Sequence, residues 1–233
     1  MSLTPFAEIQ ALAEKRKGGS KALQSLLLTH TPKRTNQLAK LGDDRYLAMM
    51  TRCIFNAGFN WKVIEKKWDG FEEAFHGFNP LGLAHMSPEK WDAYVEDKRI
   101  VRNWIKIKAV LDNAHFILDI QRDHNSFAQF FADWPVSDQV GLMDYLKKNA
   151  SRLGGNTGMY FLRFMGKDSF VLSSDVVARL KASGLEIKDQ PSSKKDLNAC
   201  QEAFNYWHEE TGLAYTSLSR ICGMSIGKNY VPE

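Results

Sequence analysis

Apolar residues recur at helical spacing along nearly the whole chain, and few runs alternate apolar and polar residues over four or more positions. Apolar positions three and four apart place one side of a helix in a core, whereas strict alternation would predict strands. The pattern therefore predicts an all-α protein. The stripes behind this prediction include Phe6, Ile9 and Leu12; Tyr46, Leu47, Met50 and Ile54; Phe71, Ala74, Phe75 and Phe78; and Leu197, Cys200, Phe204 and Trp207.

Three glycines within five residues interrupt this pattern between a polar stretch that ends at Ser151 and an apolar run that starts at Met159. Such an interruption predicts two helices joined by a tight hairpin. Glycines allow positive φ and close approach of a ligand, and the amides that open the second helix favour an anion such as a nucleic-acid phosphate. A plain glycine cap between two packed helices explains the same residues. The candidate phosphate-binding residues are Gly154, Gly155, Asn156, Thr157 and Gly158.

A second concentration of rings and small polar residues lies at a predicted helix junction, from Cys53 to Trp61. These rings are either core or the walls of a slot in which a flat base is held between aromatic faces. Further along, basic residues alternate with apolar ones from Arg99 to Lys108. A solvated outer face is the default interpretation of that segment, and contact with a DNA backbone is the alternative.

Composition narrows the class of protein without deciding its function. With 233 residues, 44% apolar and 25% charged, the chain is typical of soluble globular proteins. The net charge of +4 is compatible with a local phosphate-binding face but does not by itself indicate nucleic acid. Cys53, Cys200 and Cys222 lack any C-x-x-C spacing, and no signal-peptide pattern is found, so we expect reduced thiols in the cytoplasm. No apolar run approaches the roughly 18 residues that span a bilayer.

Several blocks of residues, taken together, resemble the family of DNA-3-methyladenine glycosylase I. The hairpin is also similar to that of the wider helix-hairpin-helix glycosylase superfamily, and the resemblance covers about residues 43 to 180. It implies a two-lobed all-α fold. It also implies an enzyme that hydrolyses the N-glycosidic bond of a flipped 3-alkylated base and leaves an abasic site. The blocks are Met49–Trp61, Phe71–Pro80, Ile100–Ala109 with Asn113 and Ala114, and Leu153–Gly158 followed by Tyr160 and Phe161.

The resemblance also implies a set of substrate-binding residues. A 3-alkylated adenine carries positive charge, so a ring-lined pocket offers both stacking and cation–π attraction. In the family, a glutamate that reads the flipped adenine lies eight residues before the tryptophan that matches Trp61, and here that place is occupied by Cys53. The predicted substrate-binding residues are Cys53, Phe55, Phe59, Trp61 and Tyr160.

Asp175 is the predicted catalytic residue. In the wider superfamily an aspartate follows the second hairpin helix by a similar distance, although alignment with several members places Ser173 or Ser174 there instead. A carboxylate near the sugar would stabilise the oxocarbenium character that develops as the base departs and would orient the attacking water. The structural alternative is an ordinary carboxylate in the first turn of a helix capped by Ser173 or Ser174.

The resemblance would imply a zinc site of two cysteines and two histidines. This chain has no cysteine or histidine among its first 29 positions, and Asp175 occupies the position that matches the family's late histidine. We therefore expect no zinc and no other cofactor, apart from a monovalent cation at the hairpin as in related hairpins. The expected organisation is an N-terminal helical extension over residues 1–42, a glycosylase core over 43–185 and C-terminal helices over 186–233. The expected partner is double-stranded DNA with alkylated bases, bound by a monomer without membrane contact.

Three functions are consistent with these patterns. The first is a monofunctional glycosylase for alkylated purines such as 3-methyladenine. The second is a non-catalytic, lesion-sensing DNA-binding protein with the same fold, and the third is a helical interaction module without affinity for DNA.

Overall fold

The structure, a computed structural model, describes residues 3–227. This range is helical and contains no β-strand, which confirms the all-α prediction. None of its helices is long and apolar enough to cross a membrane. Two short 3-10 helices span His76–Phe78 and Val136–Asp138. The α-helices are α1 (Phe6–Lys17), α2 (Ser20–Leu28), α3 (Thr35–Ala39), α4 (Asp43–Asn56), α5 (Trp61–Lys66), α6 (Trp68–Ala74), α7 (Pro80–Ala84), α8 (Pro88–Ala93), α9 (Trp104–Asp123), α10 (Phe127–Asp133), α11 (Gln139–Asn149), α12 (Gly155–Met165), α13 (Ser174–Ala182), α14 (Lys194–Thr211) and α15 (Tyr215–Met224).

The helices form two compact units that interleave along the chain. The first unit takes the described residues of 1–33, 135–141 and 166–233, and the second unit takes residues 34–134 and 142–165. This arrangement differs from the sequential division at residues 42 and 185, because the segment 43–185 contributes to both units.

The first unit joins the two ends of the described chain. Helix α1 packs against α14 and α15, and the ring of Phe6 lies 5.6 Å from that of Trp207, centroid to centroid. The indole of Trp207 donates a hydrogen bond to the carbonyl of Thr4 at 3.1 Å. The N-terminal segment is therefore part of this unit's core and not a separate extension.

The second unit is built around α4 and the long helix α9, which pack against each other. Its core is rich in rings from the Phe71–Pro80 block, where Trp68 stacks on Phe71 and Phe78 at centroid distances of 5.5 and 5.6 Å. The Asn79 side chain accepts a hydrogen bond from the amide of Gly82 and so caps α7, whose first residue is Pro80. Proline favours that first position because its ring presets the helical φ and the missing N–H is not needed there.

A hairpin of residues 150–154 connects α11 to α12. Gly155 has φ +57° and Arg152 has φ +60°, so a left-handed conformation occurs once at a glycine and once at an arginine. Gly158 is required for a different reason. A Cβ at this position would lie 2.3 Å from the carbonyl oxygen of Leu153 and 2.8 Å from Cε of Met143.

The side chain of Asn113, on α9, holds this hairpin in place. Its Nδ2 donates to the carbonyl of Ser151 at 3.1 Å, and its Oδ1 accepts from the amide of Ser151 at 2.8 Å. Asn113 is completely buried. Because unpaired buried polar groups are costly, this reciprocal pair favours one position of the hairpin on α9.

The geometry predicts a large effect for one glycine substitution near the hairpin and a small effect for another. Gly158→Ala should lower the free energy of unfolding by about 1–3 kcal/mol, because its methyl group would meet a backbone carbonyl that cannot move freely. Gly154→Ala should change it by less than about 0.5 kcal/mol, because the nearest atom to its Cβ is Cγ of the flexible Lys147, 3.4 Å away. Urea denaturation of both variants measures the difference, and equal losses would contradict the close approach at Gly158.

Candidate functional site

A cavity of about 300 Å³ lies in the second unit, between the C-terminal end of α4, the start of α5 and one side of α12. This volume is at the lower end of the range for small-molecule sites. The cavity brings the predicted helix junction together with the segment that follows the hairpin. Its lining residues are Cys53, Asn56, Ala57, Gly58, Trp61, Asn156, Thr157, Tyr160 and Phe164.

Three rings form one part of the wall. Trp61 meets Tyr160 and Phe164 edge-on, with centroid distances of 5.9 Å and interplanar angles of 89° and 82°. Tyr160 and Phe164, one turn apart on α12, stack on each other with centroids 5.6 Å apart. Trp61 remains 47% exposed. Aromatic faces of this kind favour a planar ligand and attract a cationic one.

Cys53 and Asn56 form the polar part of the wall. They lie three residues apart on α4 and therefore on the same face of the helix. Burial raises the pKa of the Cys53 thiol to about 12, so the thiol is protonated at neutral pH and is not an activated nucleophile. The Oδ1 atom of Asn56 is buried and has no hydrogen-bond partner among residues 3–227. The lining residues include no aspartate or glutamate.

Lys106, on α9, fixes the backbone behind this wall. Its Nζ donates to the carbonyls of Phe55 and Ala57 at 3.1 and 2.7 Å, which are carbonyls at the C-terminal end of α4. The partial negative charge of a helix C-terminus attracts such a cation. Burial and, to a smaller extent, the charge of Arg152 lower the pKa of Lys106.

The interpretation of Arg99–Lys108 as a solvated face is wrong for Lys106, of which only 8% is exposed. The neighbouring Arg102 and Lys108 are exposed, as that interpretation predicted. The difference arises because an α-helix turns one position in three or four toward the core, and the carbonyls of Phe55 and Ala57 give the buried ammonium its partners.

The structure brings together some of the predicted substrate-binding residues and separates others. Cys53, Trp61 and Tyr160 line the cavity. Phe55 instead lies in the core, where its ring meets Phe71 edge-on at 4.8 Å. Phe59 is 44% exposed, and its ring centroid lies 5.7 Å from Nζ of Lys106.

The predicted phosphate-binding residues also divide into two groups. Asn156 and Thr157 line the cavity as well as opening α12. Gly154 and Gly155 are at least partly accessible in the hairpin, whereas Gly158 is buried beneath it. The monovalent cation at this hairpin stays a prediction.

Asp175 belongs to the first unit, whereas every residue that lines the cavity belongs to the second. It is exposed in the first turn of α13, and the Ser173 hydroxyl caps that helix by accepting a hydrogen bond from the amide of Val176 at 3.3 Å. Asp175 thus fits the structural alternative, in which it is an ordinary carboxylate in the first turn of a capped helix. Its catalytic role stays a prediction.

The cysteines and histidines do not form an evident metal site. Within residues 3–227, no group of three or more histidine, cysteine, aspartate or glutamate side chains is arranged to hold a metal ion. Cys53, Cys200 and Cys222 are all buried and free of disulfides.

Three residues of the site were missed by sequence reasoning. Asn56 lies within the ring-rich junction and is one turn from Cys53, so its helical spacing could have identified it. Phe164 likewise follows Tyr160 by four residues on the same helix. Lys106 had no local signal, because its partners are carbonyls about fifty residues away in sequence.

The arrangement can hold one planar heterocycle against rings, with its polar edge toward an amide and a neutral thiol. It provides hydrogen-bonding groups but no carboxylate for acid or base chemistry among its lining residues. Any carboxylate that takes part in a reaction at this site would therefore have to come from elsewhere in the chain.

Comparison with known proteins places these residues in a family. Residues 38–153, about half of the chain, match the family model for methyladenine glycosylase. DNA-3-methyladenine glycosylase 1 of Escherichia coli K12 is 32% identical over 74 residues, and the DNA-3-methyladenine glycosylase of Haemophilus influenzae is 31% identical over 74 residues. Each alignment covers 32% of this chain and 40% of the relative, so the chain spans less than half the length of the curated relatives that it matches.

Among solved structures, 3-methyladenine DNA glycosylase I from Staphylococcus aureus is similar at 25% identity, with 53% of this chain and 76% of that chain covered. The TM-score is 0.48, too low to support a conclusion by itself. The matched segment 38–153 contains α4, α5 and α9, and with them Cys53, Asn56, Trp61 and Lys106. Through that segment, the chain belongs to the methyladenine glycosylase family.

Proposed function

We propose that this protein is a monofunctional DNA glycosylase that removes alkylated purines such as 3-methyladenine from double-stranded DNA and leaves an abasic site. The observation that carries the proposal is the ring-walled cavity, five of whose nine lining residues lie within the segment that matches the family. Extruding the base from the duplex lets an enzyme reach its glycosidic bond, and a damaged base costs less to flip than an intact one.

The rings give the cavity its means of selecting an alkylated base. Trp61, Tyr160 and Phe164 offer faces and edges on which a heterocycle can stack. A 3-alkylated adenine is cationic while it is attached to the sugar, and cation–π attraction adds to stacking in a partly desolvated site. Because no carboxylate lines the cavity, this attraction has to come from the rings.

The N-terminus of α12 is proposed to bind a DNA phosphate through the amides of Gly155 to Gly158. Two nearby cations support this proposal. The side chain of Lys147 runs along Gly154, with Cγ at 3.4 Å from the Cβ position of that glycine, and Arg152 is exposed in the hairpin. Contacts of this kind position the duplex without reading its sequence.

Asp175 is proposed as the carboxylate that stabilises the developing oxocarbenium ion and orients the water. Two observations support the choice: the carboxylate is exposed, and the cavity contains none of its own. Other acidic side chains of the same unit, such as Glu186, are exposed as well.

Purified full-length protein is expected to release 3-methyladenine from duplex DNA treated with a methylating agent. Mass spectrometry of the released bases, with untreated duplex as the control, makes the measurement. Tight binding to alkylated duplex without release on long incubation would contradict the proposed reaction and identify a lesion-sensing protein. If the protein shows no salt-dependent binding to duplex DNA, both the glycosylase and the lesion-sensing protein are excluded.

Removing the exposed ring of the cavity should weaken catalysis. Trp61→Ala is expected to lower kcat/KM for base release roughly 5- to 150-fold, which corresponds to the stacking of one base on one aromatic side chain at about 1–3 kcal/mol. Tyr206→Ala is a matched control, because Tyr206 is also an exposed ring at 51% but lies in the first unit. Equal rates for Trp61→Ala and the wild type would contradict a base-binding role for the cavity.

Asp175→Asn should lower kcat for base release about 10²- to 10³-fold, the usual loss when one preorganised electrostatic contact is removed. Affinity for abasic duplex should be unchanged. Glu186→Gln, which alters another exposed carboxylate of the same unit, should retain wild-type kcat. Full activity in Asp175→Asn would reject its catalytic assignment and leave the proposed activity of the protein intact.

A further inference from the structure

One polar atom of the cavity wall lacks the partner that its burial demands. Asn56 is 7% exposed, it lines the cavity, and its Oδ1 has no hydrogen-bond partner among residues 3–227. Native proteins pair nearly all buried polar atoms, so an unpaired atom in the wall of a cavity marks a position where a bound molecule can supply the partner.

The surroundings of Asn56 indicate what kind of partner is missing. An amide oxygen accepts hydrogen bonds and cannot donate them, so the partner must carry an N–H or O–H group. Trp61, Asn156, Thr157 and Tyr160 also line the cavity and carry N–H or O–H donors, but none of them bonds this oxygen, and the thiol of Cys53 is a weak donor. The terminal torsion of asparagine is broad, so the amide can turn toward a ligand between the rings at little cost.

We propose that Asn56 is a specificity-determining residue whose Oδ1 accepts a hydrogen bond from an N–H on the edge of the bound base. The ligand class is a planar heterocycle that bears an exocyclic amino group on the edge facing α4. This inference deepens the proposed function and rests on the cavity being the base-binding site.

A residue kept for ligand recognition has a thermodynamic signature that a structural residue lacks. Replacing an unpaired buried amide by an apolar side chain of similar shape removes a desolvation penalty, so the ligand-free protein becomes more stable. The same replacement removes the hydrogen bond to the ligand. Stability and affinity should therefore change in opposite directions, whereas loss of a paired structural group lowers stability.

The experiment compares two free bases, 3-methyladenine and 3-methylpurine, which differ by the exocyclic amino group alone. Wild-type protein should bind 3-methyladenine about 10-fold more tightly by isothermal titration calorimetry, the usual effect of one hydrogen bond to a buried acceptor. Asn56→Leu should bind both bases with equal affinity, and its Tm without ligand should be higher than that of the wild type.

Thr51→Val is the matched control on the same helix. Thr51 is also buried, but its Oγ1 donates to the carbonyl of Leu47 at 2.9 Å and is thus already paired. This variant should keep the preference for 3-methyladenine, and its Tm should not rise.

Several results would overturn the inference. They are equal binding of the two bases by the wild type, no binding of either base, an unchanged preference in Asn56→Leu, and a lower Tm or failure to fold in that variant. The proposed function fails separately. If binding depends on the amino group but no base is released from DNA, the proposed enzymatic activity is rejected and the role of Asn56 stands. If base is released but Asn56→Leu keeps the preference for 3-methyladenine, the role of Asn56 is rejected and the enzymatic activity stands.

Discussion

The candidate site depends on two buried polar side chains of one helix. The ammonium of Lys106 holds the carbonyls at the end of α4, and seven residues later the amide of Asn113 holds the backbone of Ser151. Seven residues make about two turns, or roughly 10 Å along the helix, and return to nearly the same face. Helix α9 thus fixes the distance between the end of α4 and the hairpin, and α4 also packs directly against α12.

This arrangement explains how a helix end and a hairpin can form a defined site. The end of α4 and the hairpin are chain segments that would otherwise have exposed, unpaired backbone groups. Here Lys106 and Asn113 give these backbone groups buried hydrogen-bond partners. If the end of α4 or the hairpin were shifted along α9, the charge of Lys106 or the amide of Asn113 would be left unpaired in the core. The penalty for misplacement is therefore large even though each bond contributes modestly to net stability.

The sequence predicted the elements of the site better than their three-dimensional relationships. Helical spacing identified the all-α fold, and the glycine cluster and the Cys53–Trp61 block both contribute to one cavity. Phe55 was misplaced because ring content does not tell which face of α4 points to the core, where it meets Phe71. Lys106 was misread because its partners are distant in sequence. The placement of Asp175 in the other unit follows from tertiary packing, for which no local pattern exists.

The burial of the Cys53 thiol also affects its reactivity toward methylating agents. Methylating agents that damage DNA also attack cysteines, and the thiolate is the reactive form. Burial raises the pKa of this thiol to about 12, so the thiol is protonated at neutral pH. A protein proposed to work where such agents are present therefore has a cysteine in its cavity that those agents modify slowly. The burial that shapes the cavity wall thus also keeps this thiol in its less reactive, protonated form.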